Sequence, residues 1–218
     1  MELTKQTLSD QAYHLLKSAI VSGELPSGSK ITENKLATRY GISRAPLREA
    51  INRLHAHRLL ERTPHIGTRV VSLSIAQLSE LYQIRANLES LACRLTATNQ
   101  HPTVIGELEH ILHLHENDEN FKLGNGYYLQ ETDDDFHYCI IKNSGNSLLA
   151  TMLCDELYHI IRLYRVQFSK SKNRSERALF EHRQILDAIK NGDGELAELL
   201  MKRHIMSSYQ NIMDNLKN

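Results

Sequence analysis

One stretch near the N-terminus, Gly41-Ile42-Ser43-Arg44-Ala45-Pro46-Leu47-Arg48-Glu49-Ala50-Ile51-Asn52-Arg53-Leu54, leaves little freedom for the chain around it. A glycine closes one short helix, and Ser43 is placed to cap the next by accepting a backbone N–H. Pro46 falls in the first turn, where a missing N–H breaks no intrahelical bond. Leu47, Ala50, Ile51 and Leu54 recur at i, i+3, i+4 and i+7, so one stripe of this helix is buried. Arg44 and Arg48 lie one turn apart near its start, and Arg48 is off that stripe. A helix N-terminus carrying two guanidiniums suits the DNA major groove, where arginine donates a bidentate pair to guanine O6 and N7. For two arginines alone, a solvated basic face accounts for the pattern equally well.

The flanking elements decide between them. Thr7-Leu8-Ser9-Asp10 starts a helix with an apolar stripe of Leu8, Ala12, Leu15, Leu16, Ala19 and Ile20, ended by Gly23. Leu25-Pro26-Ser27-Gly28-Ser29 is a turn. Thr32 caps a second short helix through Tyr40, burying Leu36 and exposing Lys35 and Arg39. After the Arg44–His57 helix, residues 59–63 and 68–71 read as strands around Pro64-His65-Ile66-Gly67. Three helices and a basic hairpin make a winged helix-turn-helix over residues 1–72. In that arrangement Gly67 permits close backbone approach of the hairpin tip to a minor groove or to phosphates.

Charge is distributed accordingly. The chain holds 26 Lys and Arg and 26 Asp and Glu, yet residues 1–72 carry 11 basic against 6 acidic side chains and residues 73–218 carry 15 against 20. Only the basic head is suited to a polyanion. No apolar run reaches the roughly 20 residues of a membrane span. The N-terminus has no apolar signal region, and Cys93, Cys139 and Cys154 form no C-x-x-C pair, so they are expected to be buried thiols of a cytoplasmic protein.

Residues 73–78 are a linker, and 79–218 read as helix throughout: an antiparallel all-α bundle. Helices are expected over 75–98, from Pro102 past Glu116, over 127–142, from Asn146 to Phe168, over 175–190 and from Glu195 onward, with a charged loop at 170–174. Asp133 and His137 are i, i+4 and project toward one point if they share a helix. His182 and His204 sit on the last two helices. One carboxylate and three imidazoles make a metal site with open positions if the helices converge, which spacing alone does not decide. His110, His113 and His115 are expected at the surface, Asp134 and Asp135 on a solvated acidic face. Tyr127, Tyr128 and Tyr138 are expected to pack in the core, and Met201, Met206 and Met213 to pack or to form a dimer seam.

Ser22–Ile31, Leu36-Ala37, Gly41–Ala50, Leu54 and Leu59-Leu60 together resemble the GntR family of bacterial transcription regulators. The resemblance implies a repressor-like homodimer on a palindromic double-stranded operator. Arg44 and Arg48, following Ser43, match the family's base-reading positions, and His65 and Gly67 its wing tip. Lys35, Arg39, Arg53 and Arg69 are the expected phosphate ligands. Asn34 stands where relatives often carry a charge.

Asp133–His137, Ser144-Gly145-Asn146, Glu181–Ile189 and Arg203-His204 resemble the FCD effector domain of the FadR-like branch. That resemblance implies a divalent transition metal, zinc foremost with nickel or manganese as alternatives, held by Asp133, His137, His182 and His204. A small organic acid would complete its coordination. Arg85 matches a cavity-facing arginine that can pair with the effector carboxylate; a salt bridge to Glu89 at i+4 accounts for it equally well. Arg162 is a weaker pocket candidate, more simply read as solvated. Two other functions fit the same residues: a metalloenzyme using Glu131 or Glu181 as general base, and a pure metal sensor.

Overall fold

The computed structural model describes residues 7–72, 74–119, 135–168 and 172–216. The chain divides into two compact units, one formed by residues up to Ser74 with Glu156–Leu163, the other by Ile75–Asp155 with Tyr164 onward.

In the first unit, α1 (Leu8–Val21) opens with a reciprocal capping box. Thr7 Oγ1 accepts from the Asp10 N–H at 3.1 Å, and Asp10 Oδ2 accepts from the Thr7 N–H at 3.2 Å. Ala12, Leu16, Ala19 and Ile20 are buried as the periodicity requires, whereas Leu8 and Leu15 are exposed and Tyr13 fills the stripe instead. A two-residue strand β1 (Lys30–Ile31) precedes α2 (Glu33–Tyr40) and α3 (Arg44–Ala56). Gly41 makes the turn between the helices at φ +64°, a left-handed conformation that suits glycine. Thr32 and Ser43 occupy the N-cap positions with extended backbones, but neither side chain accepts a cap hydrogen bond. Leu47, Ala50, Ile51 and Leu54 of α3 are buried as read.

Strands β2 (Leu60–Thr63) and β3 (Gly67–Val70) form the wing. The sheet has three antiparallel strands, not the two expected, in the order β1-β3-β2; Lys30 pairs with Arg69 and Arg62 with Thr68. Residues 156–163 join this unit through histidines: Tyr13 Oη lies 2.7 Å from His57 Nδ1, and the His57 and His159 ring centroids lie 4.3 Å apart with the planes tilted by 31°. Burial, helped by the nearby His57, Lys17 and Arg162, lowers the His159 pKa to about 3.

The second unit is the helical bundle. Its elements are α4 (Ile75–Asn99), α5 (Pro102–Asn117), α6 (Phe136–Lys142) and α7 (Ser147–Ala150). From α7 the chain continues through a π-helical Thr151–Leu157 into α8 (Tyr158–Phe168), then α9 (Lys172–Lys190) and α10 (Gly194–Asn215). Side chains of Asp135, Asn146 and Asp193 cap α6, α7 and α10. Helices α4 and α10 run antiparallel, as Arg94–Glu198 (3.3 Å), Asn87–Lys202 (3.3 Å) and the Tyr82–Tyr209 ring pair (5.5 Å) require. Helices α5 and α9 are likewise antiparallel, tied by Lys190–Glu109 at 2.6 Å and by Arg183–Glu116.

Three expectations need correction. Arg174, assigned to a charged loop, is buried in α9. His115 is buried, not on the surface, although His110 and His113 are exposed. Asp135 is buried and ion-paired to Arg165 at 3.1 Å, because it caps α6 inside the bundle. Cys93, Cys139 and Cys154 are buried thiols, as read. Tyr127, Tyr128 and Asp134 lie outside the described residues.

Of the three serine or threonine N-caps of the head, Thr7 and Ser43 separate by chemistry. Thr7→Ala removes an accepted hydrogen bond and should cost about 1 kcal/mol in urea unfolding. Ser43→Ala removes no cap bond and should cost less than about 0.5 kcal/mol.

Candidate functional site

Arg44 and Arg48 are both exposed at the start of α3. Arg48 Nη2 lies 3.4 Å from Glu33 Oε2, with the Arg48 side chain 65% exposed, so the pair is loose and weak. Beside it, a groove of about 600 Å³ separates α3 from the wing. Arg48, Asn52 and His55 line one wall, Arg62 and Thr68 the other, and Glu33 one end. Asn52, His55 and Arg62 were not picked out by the sequence reading. The signal was available: residues 48, 52 and 55 continue one row of the helix at i, i+4 and i+7.

The other basic residues are divided. Lys35 is exposed, and Arg39 donates to Glu24 at 2.7 Å. Arg53 is bound to Asp10 at 2.7 Å and its guanidinium lies 4.2 Å from the Tyr13 ring centroid, fastening α3 to α1. Arg69 donates to the Gly28 carbonyl at 2.8 Å and thereby braces the sheet. His65 and Gly67 sit at the wing turn with φ values of +63° and +98°.

In the bundle, His137 of α6, His182 of α9 and His204 of α10 meet. Their Nε2 atoms form a triangle with edges of 3.1 Å (137–204), 3.2 Å (137–182) and 3.2 Å (182–204). All three residues are buried. His137 Nδ1 lies 2.7 Å from Glu89 Oε2, and His204 Nδ1 lies 2.8 Å from Glu181 Oε2. Donation to a carboxylate places the proton of each ring on Nδ1, so both Nε2 atoms present lone pairs to each other. Lone pairs at that separation repel unless a cation lies between them. Ligands of one ion at about 2.0–2.1 Å, with angles between right and tetrahedral, lie roughly 2.8–3.4 Å apart, and the triangle fits that range. The His182 ring is fixed by stacking on Phe136, 4.3 Å away at 18°.

Asp133 and Glu131 lie outside the described residues. The helix that carries His137 begins at Phe136, with Asp135 as its N-cap at φ −95°, ψ 115°. Of the two readings left open for Arg85, the salt bridge to Glu89 is present. Its Nε donates to Glu89 Oε1 at 2.6 Å, while its buried Nη1 has no hydrogen-bond partner. Arg162 is buried rather than solvated, and it belongs to the 156–163 segment, not to the unit holding the histidines.

Electrostatics reinforce the arrangement. Burial would raise the Glu89 pKa, but Arg85 and His137 hold it well below the carboxylate range. Burial also opposes ionisation of Glu181, yet the His204 hydrogen bond and Arg174 bring its pKa down to about 2. A carboxylate so committed is a poor general base at neutral pH. Burial lowers the His182 pKa well below 6.5, and lowers that of His204 to about 3 despite its bond to Glu181. As pH falls below 6.5, the unfolded chain binds protons that these two rings refuse. Stability should therefore fall with acidification, by up to ~1.4 kcal/mol per pH unit for each ring. For His204 the window runs from 6.5 down to about 3. Urea midpoints measured from pH 7.5 to 5 should show the decline, flattened in His182→Asn.

Comparison with known proteins fits both halves of this description. Residues 8–70 match the model of the gntR family of bacterial regulatory proteins, and residues 80–207 match the FCD domain. A probable D-xylose utilization operon transcriptional repressor of Paenarthrobacter nicotinovorans is 32% identical over 93% of this chain and 88% of its own length. The gluconate operon transcriptional repressor of Bacillus licheniformis is 26% identical, covering 83% and 75% respectively. Among solved structures, Escherichia coli McbR/YncC superposes with a TM-score of 0.71 at 23% identity, covering 98% of this chain and 99% of that one. With the DNA-facing head and the FCD body both matched, the chain belongs to the GntR family of DNA-binding transcriptional regulators.

Proposed function

We propose that this regulator is a homodimeric repressor whose operator binding is governed by a small organic acid bound at a divalent metal in the helical body. The observation that carries the reading is the buried triangle of Nε2 atoms, two of them turned inward by carboxylates. His137, His182 and His204 would hold the ion, with Asp133 as the fourth protein ligand. The ion would supply an electrophilic anchor for a carboxylate. Arg85 Nη1 would add a charge-assisted hydrogen bond. The two relatives named for sugar and sugar-acid operons make an organic acid a natural signal. Glu181, bound to His204 and Arg174, is unsuited to base catalysis, which favours a sensor over a metalloenzyme.

Dimerisation has its own support. Ile84 and Leu91 on α4, and Leu199 and Met206 on α10, are exposed although apolar. In the antiparallel register of the two helices Ile84 is level with Met206 and Leu91 with Leu199, so they form one patch suited to a second copy. A dimer places two heads on half-sites about one DNA turn apart. In each head, Arg44 and Arg48 read base edges, and the groove lined by Asn52, His55 and Arg62 takes one sugar–phosphate strand. Effector binding would bias the heads through a coupling of about 1–3 kcal/mol.

Two measurements test this reading. Arg48→Ala should abolish preference for the operator and leave weak, salt-sensitive binding, whereas Arg62→Ala should weaken binding to all sequences and reduce the salt slope by about one. Equal loss of specificity in both would reverse the assignment. Chelation should lower the melting temperature and zinc should restore it, since a ligand at about 100 times its dissociation constant stabilises by roughly 2.7 kcal/mol. His182→Ala should bind no metal and show no such response.

A further inference from the structure

The face of α4 opposite Glu89 carries a pattern of its own. Glu80, Ile84, Asn87, Leu91 and Arg94 are spaced by four, three, four and three residues, and all five are exposed. At 100° per residue they stay within about 40° of one direction, which is the alternation by which helices pair along a seam. The row is also symmetric in chemistry about its midpoint. Asn87 has an apolar residue on either side of it, then an acid seven residues before and a base seven residues after. The Asn87 amide is only half used: Nδ2 donates to the Gln83 carbonyl at 2.8 Å, and Oδ1 accepts from Lys202 Nζ at 3.3 Å. An amide offers two N–H donors and two acceptor lone pairs, and these bonds take one of each.

We infer that α4 pairs with α4 of a second copy in the opposite direction, about a two-fold axis at Asn87, and that its polar centre and charged ends make the face selective for its own copy. This rests on the homodimer proposed above, and adds the partner helix, its direction and its register. An axis at Asn87 sets Glu80 opposite Arg94 of the copy at both ends of the seam, because the two lie equally far from the midpoint. It sets Ile84 opposite Leu91 of the copy on each side. The two Asn87 amides then meet, and the remaining N–H of each reaches the remaining lone pair of the other.

Other arrangements of the same face match less well. Two α4 helices running in the same direction would set Glu80 against Glu80 and Arg94 against Arg94, and like charges across an interface repel. Laying α4 on α10 of the copy at the level of the Tyr82–Tyr209 ring pair would face Glu80 with residues 210 and 211, Gln and Asn, which supply no counter-charge. A slip of one turn within the antiparallel pairing would set Asn87 against Ile84 or Leu91 of the copy, burying an unsatisfied amide. A polar residue in an otherwise apolar seam costs stability and fixes register in this way. Lys202, level with Asn87, has a stem long enough to carry its ammonium into solvent beside the seam. A different regulator whose row lacks the matched ends would leave Glu80 and Arg94 unpaired, which is discrimination by repulsion and desolvation.

The test uses the full-length protein, whose own cysteines are buried. Asn87→Cys should form a disulfide-linked dimer on mild oxidation, seen on a non-reducing gel, because a residue at the axis meets its own copy. Glu80→Cys, roughly 20 Å along the seam from its copy, should not. In sedimentation at low salt, Glu80→Arg and Arg94→Glu should each weaken the dimer about fivefold or more, since each creates two like-charge contacts. The combined Glu80→Arg/Arg94→Glu protein should return to within about twofold of wild type, and 0.5 M salt should narrow the differences as a Debye length of only a few ångströms requires. Circular dichroism of the three charge variants checks that each remains folded. Absence of the Asn87→Cys crosslink, formation of one through Glu80→Cys, or a combined variant as weak as its parents would overturn this pairing while leaving a dimer in place. A wild-type chain that sediments as a monomer at micromolar concentration would take the proposed homodimer with it.

Discussion

Three imidazole nitrogens held within 3.2 Å of one another, in a region closed to water, are the constraint on which the helical body turns. Such a triangle does not assemble by hydrophobic packing, because its members repel when they carry a common charge or face each other with lone pairs. It is held from outside. Glu89 and Glu181 grip the far sides of two rings, Phe136 stacks on the third, and Arg85 and Arg174 grip the carboxylates in turn. Each component of that outer ring comes from a different helix or from a different turn of one. Removing one partner from so buried a network leaves an uncompensated charge, which typically costs several kcal/mol.

The head follows a different logic. Its basic excess suggests a broad cationic face, but the side chains do not all serve one purpose. Arg53 fastens α3 to α1 through Asp10 and Tyr13, and Arg69 braces the sheet through the Gly28 carbonyl. The basic side chains lining the α3–wing groove are fewer and more localised than the count of charges implies: Arg48 and Arg62, with the His55 ring between them in sequence. Glu33 at its end lies near enough to Arg48 to compete with a base edge, without binding it firmly.

The fold was legible because its signals are local. Gly41, Pro46 and the Leu47–Leu54 spacing dictate a turn and a helix whatever surrounds them, and Thr7 and Asn146 mark helix starts that the structure retains. What escaped was non-local. Nothing in the neighbourhood of Asp135 or Arg174 distinguishes a solvated charge from a buried one: the partner of Asp135 lies 30 residues away on another helix, and Arg174 reaches both Glu181 on its own helix and His204 on α10. Strand β1 is two residues long and pairs with a strand nearly forty residues later, too short to carry a period of its own. His115 was grouped with surface histidines because spacing along one helix says which residues share a face, but not which face is covered. The histidine triangle stands between these cases. Its members were nominated by resemblance, while their carboxylate partners, Glu89 above all, became visible only once α4 was laid against α6.

Glu89 also makes the metal and the effector a single thermodynamic unit on the reading proposed here. One of its oxygens accepts from His137 at 2.7 Å and the other from Arg85 at 2.6 Å. A metal held by His137 would draw density from the ring, acidify its N–H and strengthen its bond to Glu89. That shift draws charge away from the Arg85 side of the carboxylate and frees the guanidinium for an incoming anion. The converse must hold with equal magnitude, since coupling between two bound species is reciprocal. A filled effector site then tightens the hold on the ion, and loss of the ion lowers affinity for the acid beyond the loss of its direct bond. On that reading, a salt bridge one helical turn long would link the ion and the acid.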